Sequence, residues 1–281
     1  MKKLFVILSL FLSCDTGNLK VISDIPILIR EVSGIETSFD TEDLWMINDS
    51  GNKTELFLVS TEGVIQKVLK IDAKNRDWED LTLDSEGNLY IGDFGNNGNS
   101  RKNLSVLKIN KSQLTLGGTV SPEKISFNYS DQTKFPPKKK QRYFDCEAFI
   151  HYNDHLYLFT KSRVNNDFGR TNLYKIPDTG GTHEAQYIGT FKTCDELPCW
   201  ITAADISQDG KTLVLLSLDT VWTFTDFEND NFFSGKIKKH DLDHRSQKES
   251  ICFKNNNTIY IADEYAAGTG GNLYEFTLNS N

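Results

Sequence analysis
Histidine and cysteine are scarce in this chain, five of each in 281 residues, and their placement excludes two common kinds of active site. The histidines at positions 151, 155, 183, 240 and 244 show no zinc-ligand spacing; His151 and His155 are four apart, but across a hairpin turn and not on a helix. No Gly-x-Ser-x-Gly elbow is present and no cysteine stands beside a histidine in a recognisable motif, so nucleophilic catalysis has little support. Positive charge is also in deficit. A net charge of −8 argues against nucleic acid as a partner, because phosphate backbones select basic surfaces. Beyond the first dozen residues no apolar run is long enough to cross a bilayer as a helix.

What is present is a repeat. In Asp77 to Asp93, Glu79 opens an alternating run through Leu81 and Leu83, a Glu86-Gly87-Asn88 turn follows, and Leu89, Tyr90 and Ile91 lead to Asp93. That is a β-hairpin with an acid at each open end. The unit lies without a gap over Glu249 to Phe253 with Ile259 to Asp263. With shorter turns it lies over Glu147 to Ile150 with Leu156 to Thr160, and over Glu36 to Phe39 with Leu44 to Asn48. The weakest copy is Ala203 to Ser207 with Leu213 to Ser217, where Ala204 fills the glutamate slot.

All-β repeats spaced by a few tens of residues predict a single β-propeller. Two more strand-like runs follow each hairpin, which gives five four-stranded blades. A sixth is the alternative if Ser130 to Asp145 hides a degenerate one, although Pro136, Pro137 and Lys138 to Arg142 read as a loop. The lone β-rich run Leu19 to Ile25 is expected to pair with Leu273 to Leu278 and close the ring, removing two exposed edges.

The first residues, Lys2 and Lys3, an apolar stretch Leu4 to Leu12, then Ser13 and Cys14, form a signal segment, 1–13, ahead of a propeller domain, 14–281. The pattern resembles a bacterial lipoprotein signal, which implies lipidation of Cys14, a membrane anchor and a cell-envelope location, periplasmic or at the outer-membrane surface; an ordinary cleaved signal is the alternative. Cys194 and Cys199 bracket a short loop that a disulfide can close in an oxidising compartment.

In a propeller the innermost strands line a central channel, so Glu36, Glu79, Glu147 and Glu249 are expected to ring one mouth. Asp49, Asp93, Lys161, Arg163, Asp263 and Glu264 should surround them, with Trp78, Arg142 and Trp200 on incoming loops. The glutamates either cap strand starts by accepting N–H bonds or hold a cation. Two carboxylates about 5 Å apart repel by roughly 3 kcal/mol at an effective dielectric of 20, which four can relieve with protons or a hard cation. Calcium fits carboxylates that come without imidazole or thiolate.

The motifs Asn48-Asp49-Ser50-Gly51, Asp77-Trp78-Glu79-Asp80, Ile91-Gly92-Asp93-Phe94-Gly95-Asn96, Asp145-Cys146-Glu147-Ala148, Thr202-Ala203-Ala204-Asp205 and Lys248-Glu249-Ser250-Ile251 resemble a group of secreted β-propeller proteins from Bacteroidetes-type bacteria. That resemblance implies the propeller and the envelope location and no particular activity. A looser likeness, through the four glutamates alone, is to calcium-activated nucleotidases of the apyrase type; it implies a calcium ion one ligand short at Ala204 unless Asp205 substitutes. Acidic blade starts are also similar to those of phytase-type propellers.

Three functions follow as expectations. The first is a monomeric, lipid-anchored propeller that binds a small molecule or a protein at the acidic mouth around a structural calcium. The others are a calcium-dependent phosphoester or phosphoanhydride hydrolase, with Lys161 and Arg163 neutralising charge, and a glycoside hydrolase with Trp78 or Trp200 stacking on a sugar. Replacing Cys14 by Ser should release the protein from the membrane fraction; a variant that sediments with membranes as tightly as the unaltered protein would remove the anchor.

Overall fold
The computed structural model describes residues 15–195 and 199–278; Cys14 and the expected signal segment, residues 1–13, lie outside the described residues. The expected hairpins form, and each continues into two further antiparallel strands. The first sheet contains Val32–Thr37, Leu44–Asn48, Glu55–Val59 and Ile65–Ile71; the second Trp78–Leu83, Leu89–Asp93, Leu104–Ile109 and Glu123–Tyr129. The third contains Asp145–Tyr152, His155–Lys161, Arg170–Pro177 and Gly181–Lys192, and the fourth Ala203–Ile206, Thr212–Leu216, Thr220–Thr225 and Lys236–Asp241. The fifth joins Lys248–Asn255, Thr258–Asp263 and Asn272–Thr277 to the N-terminal strand Lys20–Asp24.

The opening strands of these sheets neighbour one another in a closed cycle, Val32–Thr37 beside Trp78–Leu83, then Asp145–Tyr152, Ala203–Ile206, Lys248–Asn255 and back to the start. This is the β-propeller. Residues 130–144 contain no strand, only a short 3-10 turn at Lys139–Gln141. The outer strands Glu123–Tyr129 and Gly181–Lys192 pair in parallel, Ile125 with Gly181 through Tyr129 with Ala185, so the second and third sheets are continuous.

Strand alternation explains how the sheets stack. In the second sheet Leu81, Leu89 and Ile91 face Trp45, Ile47 and Leu56 of the first sheet, while Tyr90, Val106 and Ile125 face Phe149, Leu158 and Tyr174 of the third. Successive side chains on a strand point to opposite faces, so each sheet has two apolar faces and every gap between sheets is filled. The gap between the fifth sheet and the first, lined by Ile35, Met46 and Phe57 against Tyr260 and Leu273, completes the circle. Gly34 is needed where the first inner strand comes closest to the second, because a Cβ there would lie 2.9 Å from the Asp80 backbone.

The N-terminal strand pairs antiparallel with the C-terminal one, Lys20 with Glu275, Val21 with Tyr274 and Asp24 with Asn272. Leu19 and Ile25, at its two ends, are buried in the gaps on either side of the fifth sheet. Deleting residues 15–25 should expose the Asn272–Thr277 edge and uncover both gaps, giving aggregation or loss of cooperative unfolding. Size-exclusion chromatography and a thermal melt check this; a monomer with unchanged melting would refute it.

Candidate functional site
The open ends of the first hairpins converge on one mouth of the channel. Three glutamates reach it by one device, a β-bulge. Pairing skips one residue between Trp78 and Asp80, between Cys146 and Ala148, and between Lys248 and Ser250, and the skipped residues are Glu79, Glu147 and Glu249. A bulge re-aims its extra side chain away from the regular pleat. In the first sheet the skipped residue is Ser33, not Glu36.

Glu36 therefore corrects the sequence expectation. It pairs with Trp45 one step from the hairpin turn, at the opposite mouth, where it lines a cavity with Asp205. The first turn is longer than the alignment allowed, since the strands part at Thr37 and Leu44. Asp205 likewise lies at the turn end of its hairpin and does not replace the missing fourth glutamate; Ala204 is buried, and the fourth sheet has no bulge.

Around the three glutamates the mouth is acidic. One oxygen each of Asp49, Asp77 and Glu79 lies within 4.8 Å of the others. Asn75 fixes this trio by donating to the carbonyls of Asn48 and Asp49 at 3.1 and 2.9 Å, while its side-chain oxygen accepts the Trp78 N–H at 3.1 Å. The Gly95 N–H donates to the Asp77 carbonyl at 3.2 Å. A Cβ on Gly95 would collide with the Glu79 carboxylate and lie 2.6 Å from that of Asp77, so glycine leaves the space that both acids occupy.

Lys161 and Arg163 bring the positive charge. Lys161 donates to Glu147 at 3.0 Å; Arg163 donates to Glu147 at 3.0 Å, to Asp145 at 2.5 Å and to Asn97. Burial works against the Lys161 ammonium, but Glu147 and Glu249 outweigh it and raise its pKa. Both cations lie over Trp200, at 5.2 and 5.1 Å from its ring, and the indole N–H donates to the Ser162 carbonyl at 2.8 Å. A disulfide between Cys194 and Cys199 closes the loop just before this tryptophan.

Other expected site residues have different roles. Trp78 is fully buried between the first two sheets and corrects the expectation of a ligand-facing ring. Asp93 is buried under Arg101 at 3.0 Å and Arg76 at 3.6 Å and accepts the Asp77 N–H. Asp263, also buried, accepts the Asn272 N–H at 2.8 Å and the Tyr274 hydroxyl at 2.9 Å. Both carboxylates hold loops through these bonds. Arg142 meets the mouth through its carbonyl, which accepts the Arg163 N–H at 2.9 Å. Glu264 stands beside Glu249 and Asp49 as expected. Asp77 and Asp145 were missed as site residues, although each stands two before its glutamate in a repeated Asp-x-Glu signal.

Crowding and burial show in the titration of the mouth. Burial, with Glu147 and Asp49 adding repulsion, raises Glu79 well above the usual carboxylate range. Burial likewise raises Asp49 to about 6, Glu249 to about 7 and Glu264 to about 8. Acids with pKa values above their unfolded values stabilise the fold below the unfolded pKa, and that contribution is lost as pH rises through the folded values. Metal-free protein should therefore lose melting temperature between about pH 4.5 and pH 8. A rising melting temperature across that window would contradict the assignment. Gly95→Ala should cost about 1–3 kcal/mol by overpacking, as read in denaturant unfolding.

No protein-family model and no curated protein matches the chain. Among solved structures it is similar to a candidate gluconolactonase, with a TM-score of 0.50 and 13% identity over 89% of this chain and 75% of that one. It also aligns with a gluconolactonase from Xanthomonas campestris, with a TM-score of 0.48 and 11% identity over 94% and 92% of the two chains. A third alignment is with a catalytically inactive virginiamycin B lyase from Staphylococcus aureus bound to quinupristin, with a TM-score of 0.43 and 16% identity over 89% and 67%. At these identities the likeness is one of fold, and the first of the three supports the propeller. The likenesses to the Bacteroidetes group and to nucleotidases are not carried by these structures.

Proposed function
We propose that the protein is a cell-envelope β-propeller, tethered through a lipid on Cys14, that holds calcium at the carboxylate mouth and binds there a ligand bearing an oxyanion. The observation that carries this reading is the convergence of Asp49, Asp77 and Glu79, one oxygen each within 4.8 Å. Calcium takes oxygen ligands at roughly 2.3–2.6 Å, so two on opposite sides of an ion stand just under about 5 Å apart. The donor set is all carboxylate, which favours a hard cation over zinc. When bound, calcium supplies charge compensation for these acids and polarises a ligand oxygen.

The chain's own residues supply the rest of the site. Lys161 and Arg163, held by Glu147 and Asp145, present positive charge beside the acidic trio, and Trp200 backs them. An anion is thereby drawn to one side of an otherwise acidic mouth. A second reading, hydrolysis of an ester in that ligand, is favoured by Glu249 and Glu264, which burial raises to about 7 and about 8. Carboxyl groups that exchange protons near neutral pH suit general acid and base roles. A phosphoester or a lactone fits this chemistry; glycoside hydrolysis has lost Trp78 as a sugar platform.

Calcium should raise the melting temperature of metal-free protein, by the equivalent of about 2.7 kcal/mol at a hundredfold excess over Kd, and chelation should reverse it. Glu79→Gln and Asp49→Asn should each weaken calcium binding about tenfold or more in calorimetric titration. Absence of calcium heat, with both variants as stable as the parent, would overturn the metal site. Turnover of phosphate esters or lactones that chelation abolishes would establish the second reading, and calcium binding without turnover would leave binding alone.

A further inference from the structure
The channel has a second mouth, at the turn ends of the first hairpins, and a cavity of about 1000 Å³ opens there. Its charged lining is one-sided. Glu36, Asp84, Asp154, Asp205 and Asp209 line it together with His151; among the described residues no lysine or arginine belongs to that lining, and the nearest cations sit at its edge, Lys211 at 3.8 Å from Asp209 and Lys111 over Phe39. Glu36 and Asp205 are the most buried of these acids, each 6% exposed. Asp205 spends part of its capacity on the N–H groups of Ile206 at 2.7 Å and Phe253 at 2.6 Å, and Glu36 spends part on the Thr37 N–H at 2.7 Å. A carboxylate has about four acceptor sites, so both retain capacity toward the cavity.

The walls carry aromatic rings as well as charge. Phe39, Tyr152 and Phe253 line the cavity, and Phe39 is 52% exposed. At this edge the protein already seats one ammonium of its own: the Lys111 nitrogen lies 3.8 Å over the Phe39 ring and 2.7 Å from an Asp40 oxygen. Aromatic faces and carboxylates together select alkylammonium groups over hydrated metal ions. The volume is that of a whole small-molecule site and not of a single ion.

We infer that this cavity binds an organic polycation, a small aliphatic molecule carrying two or more ammonium groups. One ammonium meets Glu36 and Asp205, and the outer ones meet the turn acids Asp154 and Asp209, with the alkyl chain against Phe39 and Tyr152. The site is separate from the calcium mouth and does not depend on the reading given to it.

Spermidine is the probe, titrated calorimetrically into the full-length protein at near-physiological salt with calcium present to saturate the other mouth. One saturable site is expected. Glu36→Gln should weaken it about tenfold. Because Glu36 also accepts backbone N–H bonds, two surface variants guard against a folding effect. Asp154→Asn preserves a residue type suited to the left-handed backbone, with φ of 58° at that turn, and Phe39→Leu keeps an apolar side chain; each should weaken binding roughly threefold or more. Glu79→Gln, at the other mouth, should leave spermidine affinity unchanged. Non-saturating heat, or a stoichiometry well above one, would mean diffuse attraction to an acidic surface and overturn the site. Sensitivity to Glu79→Gln with indifference to Asp154→Asn and Phe39→Leu would place the polycation at the calcium mouth and overturn it equally.

Discussion
Each sheet presents an unpaired backbone edge to the channel, because its first strand has a hairpin partner on one side only. A buried N–H left without an acceptor costs about 1–3 kcal/mol, so the channel cannot be lined by apolar side chains alone. The preceding sheet supplies acceptors. Asp80 takes the Phe149 N–H at 3.1 Å, Thr82 takes the His151 N–H at 3.2 Å, and Asp205 takes the Phe253 N–H at 2.6 Å. These bonds set the distance between neighbouring inner strands, and through it the spacing of everything mounted on their ends. They also place carboxylates deep in the protein, where burial raises Asp80 well above its usual range and Asp205 to about 7.

Much of this was legible in the sequence. The repeat, the ring closure by Lys20–Asp24 and the shared position of Glu79, Glu147 and Glu249 all follow from alternation and turn signals. Bulges defeated the rest. In a regular strand Trp78 would share a face with Asp80; the extra residue at Glu79 reverses the parity, so Trp78 joins Leu81 in the apolar gap. Glu36 failed for a related reason: the bulge of its strand falls at Ser33, an unremarkable residue in sequence, so the glutamate seemed to open a strand that it nearly closes.

The acids near the mouth separate by the company they keep. Asp93, Asp145, Glu147 and Asp263 are matched by guanidinium, ammonium, amide or hydroxyl donors and serve the architecture. Burial comes first in raising Asp49, Asp77 and Glu79, as it does at Asp145; repulsion from Glu147 and Asp49 follows at Glu79, while a hydrogen bond from Ser50 offsets part of the rise at Asp49 and at Asp77. Buried like charges are costly without compensation.

The parallel seam between Glu123–Tyr129 and Gly181–Lys192 divides the ring mechanically. Two sheets joined along their outer strands form a single jaw, which carries both Glu79 and Glu147. Asp49 sits on the first sheet, outside that jaw, and is linked to it locally through Asn75. The first sheet has a shorter parallel seam of its own, Lys70 with Thr119 and Ile71 with Val120, and a guest held by Asp49 and Glu79 together would add a further tie between that sheet and the jaw.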